Sequence, residues 1–185
     1  MPGSERKKPI VPAAQRPAVV NPMTVHILQT DPQSIALEQS YPTDPDTLYA
    51  TLLQPPHLVN WCALPGQTCR IERWEPAEGG TFTLVLDEAA TGKGTRVHGD
   101  LTVLDPPRRI EAVLRADGSD DEGQRIVVTL AERGDLALLR LQHHGLVDAE
   151  AIETAAAAWQ LRLDRLTGEL PPTQPLVSVR GRHGT

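Results

Sequence analysis

Cysteine is nearly absent from this sequence, which has only Cys62 and Cys69 among its 185 residues. Two cysteines are too few for a disulfide-stapled scaffold or for a zinc site built from cysteine alone. No apolar stretch is long enough to cross a membrane. Pro9, Pro12 and Pro17 also interrupt the segment where a signal peptide needs a continuous apolar run. These absences predict a cytoplasmic protein without a membrane span, whose two thiols are buried or unused.

Basic residues are scarce in the central part of the chain. Residues 31–170 contain 12 lysines and arginines against 23 aspartates and glutamates, a net charge of −11. An acidic domain is poorly suited to binding phosphate backbones, so we predict no nucleic-acid partner. The basic residues 6–8 are interpreted as part of a solvated tail.

Residues with metal-binding chemistry are present, but their spacing argues against a metal site. The acidic residues between 117 and 122 lack the ligand spacing of a calcium loop. His143 and His144 are neighbours in a predicted strand, so their side chains point to opposite faces and cannot bind one ion together. We therefore predict no metal and no cofactor.

Proline placement divides the chain into three parts. Residues 1–33 have no sustained apolar period, which predicts an extended or disordered N-terminal tail. Residues 34–170 have the size of one ordinary domain. Residues 171–185, which begin with two prolines, are predicted to form a flexible C-terminal tail.

Alternating apolar residues predict a sheet. Ser34–Tyr41 is a first strand, and two short helices follow it, the first capped by Thr43 or Asp44. From 68 to 143 the apolar residues recur at every second position, interrupted by short turns, which predicts six further antiparallel strands. Alternation assigns one inner face to a set of strand residues: Phe82, Leu84, Leu86, Val97, Gly99, Leu101, Val103, Ile110, Ala112, Leu114, Leu139, Leu141 and His143. The same rule places His98 and Glu111 on the outer face. In the strand over residues 68–74 it places Cys69 and Ile71 on one side and Glu72 and Trp74 on the other.

A helical period replaces the alternation over residues 148–167. Asp148 is a candidate N-cap and Gly168 a candidate C-terminal cap. The residues that share one apolar stripe are Ile152, Ala155, Ala156, Trp159, Leu163 and Leu166. Leu161 lies on the opposite side, where a partner or a tail would cover it. Because a single helix cannot bury an apolar stripe alone, we expect it to pack across the sheet.

Several short motifs share the order and spacing of a known family. They are Trp61 after Pro56-His57-Leu58-Val59-Asn60, Glu78-Gly79-Gly80-Thr81-Phe82, Gly99, Asp105-Pro106-Pro107-Arg108-Arg109-Ile110, Leu141-Gln142-His143-His144-Gly145-Leu146, and Trp159. Over residues 34–170 the chain resembles the START-like (SRPBCC) superfamily, and within it the heat-shock protein 90 ATPase activator homologue-like family. The resemblance implies an α+β helix-grip fold, in which a curved antiparallel sheet wraps around a long C-terminal helix.

The resemblance also implies a cavity between the sheet and the last helix, which would bind a small hydrophobic molecule. The residues predicted to contact this ligand are Trp61, Phe82, Leu84, Gly99, Leu101, Leu114, Leu139, His143, Ile152, Ala155, Ala156 and Trp159. Ala155 and Ala156 either allow close packing of the helix or leave space for the ligand.

Two other functions remain open at this point. In the first, a cyclase, dehydratase or hydrolase uses the same cavity, and His143 is then the first candidate for acid–base catalysis. In the second, the chain is a co-chaperone-like protein-interaction module with a filled core. A homodimer is the common default for soluble oligomers, and the sequence does not decide it.

Overall fold

The computed structural model describes residues 24–118 and 122–172. The elements follow one another in the predicted order, preceded by one additional strand. They are β1 (His26–Asp31), β2 (Ser34–Tyr41), α1 (Pro45–Leu53), α2 (Pro55–Trp61), β3 (Gln67–Trp74), β4 (Thr81–Glu88), β5 (Gly94–Asp105), β6 (Arg109–Ala116), β7 (Gln124–Arg133), β8 (Leu136–His144) and α3 (Ala149–Glu169).

The strands within this part of the chain form one eight-stranded sheet in the order β1-β2-β8-β7-β6-β5-β4-β3, and all neighbours are antiparallel. All but one pair of neighbours are consecutive in the chain. The exception joins β2 to β8, with Ser34 opposite His144 and Tyr41 opposite Ala137. With α3 across one face of this sheet, the architecture is the expected α+β helix-grip fold.

Strand β1 lies inside the segment that the sequence analysis assigned to the N-terminal tail. It pairs with β2 through residues such as Ile27, opposite Leu37. Ile27 and Leu28 are each 48% exposed, so these two neighbouring residues of the edge strand show no alternation of burial. Its pairing therefore left no periodic signal in the sequence. The predictions for residues 1–23 and 173–185 lie outside the described residues.

A β-bulge in β3 changes one predicted side-chain orientation. The register shifts between Ile71 and Arg73, so one additional residue separates the two halves of the strand. Trp74, which alternation placed on the side opposite Cys69 and Ile71, therefore lies on the same inner face as they do, opposite Phe82. The two ring centroids are 5.6 Å apart, and Trp74 packs against the core.

A second bulge in β5 has the same effect. The register shifts between Leu101 and Val103, which leaves Val103 opposite Glu111 on the outer face. Leu104 takes the inner position instead, opposite Ile110, and packs against the core. The prediction of an inward Val103 was wrong because simple alternation does not include the additional residue.

Glu111 lies on the outer face as predicted, but it is shielded from water and only 5% exposed. Arg109 Nε donates to Glu111 Oε1 over 2.6 Å, and Arg125 NH2 donates to Oε2 over 2.5 Å. Burial of the carboxyl raises the pKa of Glu111, but the two guanidinium groups outweigh this effect and hold the pKa below its ordinary value.

Helix α3 begins where the sequence predicted. The Asp148 side chain accepts a hydrogen bond of 2.8 Å from Ala151 N, which satisfies one of the free N–H groups of the first turn. The predicted cap at Gly168 was wrong, because the helix continues to Glu169. Leu170 is extended, with ψ of 145°. Pro171 explains this end point, since the residue before a proline disfavours helical geometry.

The core lies between α3 and the inner face of the sheet. Ala156, Trp159, Leu163 and Leu166 are buried there, whereas Leu161 is 43% exposed on the other side of the helix. The buried hydroxyl of Tyr41 in β2 donates to the carbonyl oxygen of Leu163 over 3.0 Å. This contact fixes the helix against the strand at the centre of the core.

Candidate ligand-binding cavity

A cavity of about 190 Å³ lies between the sheet, the two short helices and α3, and it is partly open to the surface. Its walls come from β3 to β8 and from all three helices, and they are almost entirely apolar. Five strand residues predicted as ligand contacts line it: Phe82, Leu84, Leu101, Leu114 and Leu139. From the helices, Trp61 and Trp159 line it as well.

The other five predicted contacts do not line this cavity. They are Gly99, His143, Ile152, Ala155 and Ala156. Ile152, Ala155 and Ala156 belong to the first half of α3 and pack against the core, whereas the cavity adjoins the later segment that contains Trp159, Arg162 and Leu163. The small size of the two alanines therefore serves close packing.

Gly99 is covered by the ring of Phe82. A Cβ atom placed on Gly99 would overlap three carbon atoms of that ring. Gly99 and Phe82 are cross-strand partners in β5 and β4, so the absent side chain leaves room for the end of the ring to lie against the backbone. Gly99 thus acts on the cavity indirectly, by setting the position of one of its walls.

Substitution of Gly99 by alanine should push the Phe82 ring toward the cavity and lower the free energy of unfolding by about 1–2 kcal/mol. Urea denaturation of the purified proteins measures this change. In a Phe82→Ala background the same substitution meets no ring, so we expect an effect near zero. Equal effects of Gly99→Ala in both backgrounds would show that the ring does not depend on the glycine.

His143 is held between two side chains. Trp159 Nε1 donates to His143 Nδ1 over 3.0 Å, and His143 Nε2 lies 2.9 Å from Gln124 Oε1. Because an indole nitrogen only donates, Nδ1 must be the acceptor and Nε2 must carry the proton of a neutral ring. Burial, followed by the charges of Arg162 and His144, lowers the pKa of His143 to about 4. With both nitrogens engaged, this histidine has no free position for proton exchange with a ligand.

Arg162, a charged residue of the cavity wall, was not predicted from the sequence. Its Nε donates to the carbonyl oxygen of Cys62 over 2.8 Å, and its guanidinium carbon lies 5.3 Å from the centre of the Trp159 ring. Burial lowers the pKa of Arg162, and no carboxylate within the described ranges forms an ion pair with it. The sequence feature that could have identified Arg162 is its position three residues after Trp159, on the edge of the apolar stripe.

The structure also brings the two cysteines together. Cys62 is buried and lines the cavity, and Cys69 is partly buried in β3. A hydrogen bond between the two thiols, together with burial, raises the pKa of Cys62. A thiol with a raised pKa is a poor nucleophile at neutral pH, which agrees with the interpretation of Cys62 as unreactive.

Two tryptophans in the cavity wall have buried indole N–H groups without a hydrogen-bond partner. They are Trp61 and Trp74. Buried donors are usually satisfied in folded proteins, so within the described residues these two indole groups are exceptions.

The family model described as "Activator of Hsp90 ATPase homolog 1-like protein" matches residues 42–170, more than half of the chain. The chain belongs to the Activator of Hsp90 ATPase homolog 1-like family. This confirms the resemblance found in the sequence motifs. Among curated proteins, no sequence matches the chain significantly.

Solved structures share the fold of this Activator of Hsp90 ATPase homolog 1-like chain. A crystal structure of a protein from Chromobacterium violaceum is 24% identical, covers 76% of this chain and 99% of its own, and has a TM-score of 0.70. The AHSA1-like protein from Aeromonas hydrophila is 16% identical, with coverages of 74% and 90% and a TM-score of 0.62. CalU16 from Micromonospora echinospora is 22% identical, with coverages of 80% and 85% and a TM-score of 0.57. At these identities the similarity establishes the fold.

Residues 24–118 and 122–172 contain neither a membrane-spanning helix nor a cluster of metal-binding side chains. No helix in these ranges is long and apolar enough to cross a membrane. No group of three or more histidine, cysteine, aspartate or glutamate side chains in them is placed to hold a metal ion.

Proposed function

We propose that this protein binds a small hydrophobic ligand in the cavity between the sheet and α3. The observation that carries the proposal is the cavity itself, which has about 190 Å³ of space enclosed by nearly continuous apolar walls. An apolar cavity of roughly 150 Å³ in another protein is large enough for benzene. The family fold supports a ligand-binding scaffold of this kind.

The expected strength of binding follows from the apolar surface that a ligand would bury. Each buried methylene contributes about 0.8 kcal/mol, so a group of six carbons contributes about 5 kcal/mol before ordering costs. That gross contribution alone corresponds to a Kd of about 0.2 mM, so a ring-sized probe without other interactions should bind with a Kd of about 1 mM or weaker once ordering costs are included. Tighter binding requires a larger ligand or a polar contact.

Native mass spectrometry of the gently purified protein tests the proposal directly. We expect a non-covalent excess mass that disappears on denaturation. The same spectrum reports whether the protein is a monomer or a homodimer. Absence of an adduct, together with an unchanged melting temperature across a panel of hydrophobic probes, would contradict ligand binding and favour the interaction-module hypothesis.

A cavity-filling substitution tests the location of the site. Ala112 lies on the inner face of β6 and lines the cavity. Ala112→Leu should fill part of the space and weaken the binding of a neutral probe, 4-phenylbutan-1-ol, by about tenfold or more, measured by calorimetric titration. The protein should remain folded, with a change in the free energy of unfolding of less than about 1.5 kcal/mol, because the added carbons enter existing space.

The matched control is Ala131→Leu in β7, where the alanine is exposed. This variant makes the same chemical change away from the cavity and should bind the probe as the wild type does. Unchanged binding in Ala112→Leu, or equal weakening in both variants, would place the site elsewhere.

The enzymatic hypothesis has no support from its first candidate residue. His143 has both ring nitrogens engaged and does not line the cavity. No other residue of the cavity wall combines a free acid–base group with a neutral-range pKa.

A further inference from the structure

The cavity wall contains hydrogen-bond donors for which the described residues provide no acceptor. Trp61 and Trp74 each have a buried N–H group without a partner. A guanidinium has five N–H donors, and Arg162 uses its Nε in a hydrogen bond to the carbonyl of Cys62. The thiol of Cys62 already has a partner in Cys69. Within the described residues, the groups of this wall that lack an acceptor are therefore N–H donors, and the two indole groups are buried from the cavity as well as from solvent.

The formal charge of the cavity wall is positive. Among the described residues that line the cavity, Arg162 alone carries a formal charge. Moving a cation out of water is costly unless it is paired, and the ring face of Trp159 with one carbonyl oxygen gives only partial compensation. The cost is visible in the pKa of Arg162, which burial lowers. An anion at this position would remove that cost.

The geometry of a guanidinium narrows the choice of anion. Its planar fork matches the two oxygens of a carboxylate, and such pairs form strong bidentate hydrogen bonds. A single arginine without a lysine or another arginine in the wall is suited to one negative charge. The net charge of −6 on the whole chain further disfavours an anion of higher charge.

We propose that the ligand is an amphipathic monocarboxylate, whose apolar part fills the cavity and whose carboxylate is bound by Arg162. This rests on the proposed function and names the chemical class of the ligand at the same site. The volume of about 190 Å³ limits the enclosed apolar part to about the size of one ring with a short chain.

The experiment compares two probes that differ only in their polar end, 4-phenylbutyrate and 4-phenylbutan-1-ol, at neutral pH. Calorimetric titration of the wild type should give a Kd for the acid at least about tenfold lower than for the alcohol. In Arg162→Met the preference for the acid should disappear, while the affinity for the alcohol stays within about threefold of the wild type.

Arg165→Met is the matched control. Arg165 also lies on α3 and donates to an α2 carbonyl, that of Asn60, over 3.0 Å. It is exposed and does not line the cavity, so this variant should keep the full preference for the acid. If Arg162→Met does not fold, Arg162→Lys replaces it. This variant retains the charge without the planar fork, and we expect a reduced but measurable preference.

The outcomes distinguish failure of the proposed function from failure of the carboxylate assignment. If neither probe binds the wild type, the proposed function fails. If the alcohol binds as tightly as the acid, or if Arg162→Met retains the preference, the carboxylate assignment is overturned while hydrophobic binding stands. An unchanged preference in Arg162→Lys would also overturn it, since the guanidinium geometry would then have no role.

Discussion

Acidification from pH 7 to pH 4 should lower the free energy of unfolding by about 3 kcal/mol through His143 alone. Burial holds the pKa of this histidine at about 4, against an ordinary value of 6.5. Below pH 6.5 the unfolded chain binds a proton at this position and the folded protein does not, so stability decreases as the pH falls. Below about pH 4 both states are protonated, and the loss is complete.

The pH window distinguishes this effect from that of the carboxylates. Glu72 and Glu111 have lowered pKa values, so their contributions are present above the ordinary carboxylate pKa and are lost only as the pH falls below it. About 2 kcal/mol of the His143 effect should therefore appear between pH 7 and pH 5. Urea midpoints at several pH values measure it.

His143→Gln is the control, because glutamine keeps an acceptor and a donor but does not titrate in this range. The variant should be less stable than the wild type at pH 7 and should lose much less stability between pH 7 and pH 5. Parallel pH profiles for the two proteins would show that His143 is not the titrating group.

Truncation of Leu166 to alanine should lower the free energy of unfolding by about 3 kcal/mol. Leu166 is fully buried on the face of α3 that meets the core. Removal of three carbon atoms there deletes packing contacts and leaves a void that the surrounding strands cannot fill completely. Urea denaturation at neutral pH is the direct measurement.

Leu161→Ala makes the same chemical change in the same helix, five residues earlier. Because Leu161 is 43% exposed, we expect a change of no more than about 0.5 kcal/mol. Similar losses for the two variants would mean that Leu161 is covered in solution, as a partner or a tail would cover it.

The order of elements from β2 to α3 was predictable because each of these strands and helices carries its own period, which β1 does not. Side-chain orientation was predictable only where the period is uninterrupted. The β3 bulge occurs at Glu72 and Arg73, which are both polar, so an additional residue does not alter the visible pattern. In β5 the bulge falls within Leu101-Thr102-Val103, where the alternation continues although the side chains change faces.

The site was predictable to the extent that it consists of inward strand residues. Alternation identified walls such as Phe82, Leu84 and Leu101, but a helical stripe does not indicate which turn faces a void. The region of Ala155 and Ala156 was therefore wrongly included in the cavity. Arg162 was not predicted because a charged residue is normally assigned to solvent. Its burial depends on a contact with Cys62, which is distant in sequence, and on a contact with Trp159, which is near in sequence but leaves no visible pattern.

The pairing of β2 with β8 has a consequence for how the protein is made. The Tyr41 hydroxyl contacts a carbonyl 122 residues later in the chain, and β2 has its inner neighbour only in β8. On the ribosome, β2 therefore emerges long before β8 and α3 exist, and Ile35 and Leu37 have no surface on which to be buried. Long-range pairing of this kind delays folding until the partner strand is available. The domain must complete its fold after its synthesis is nearly finished rather than strand by strand as it emerges.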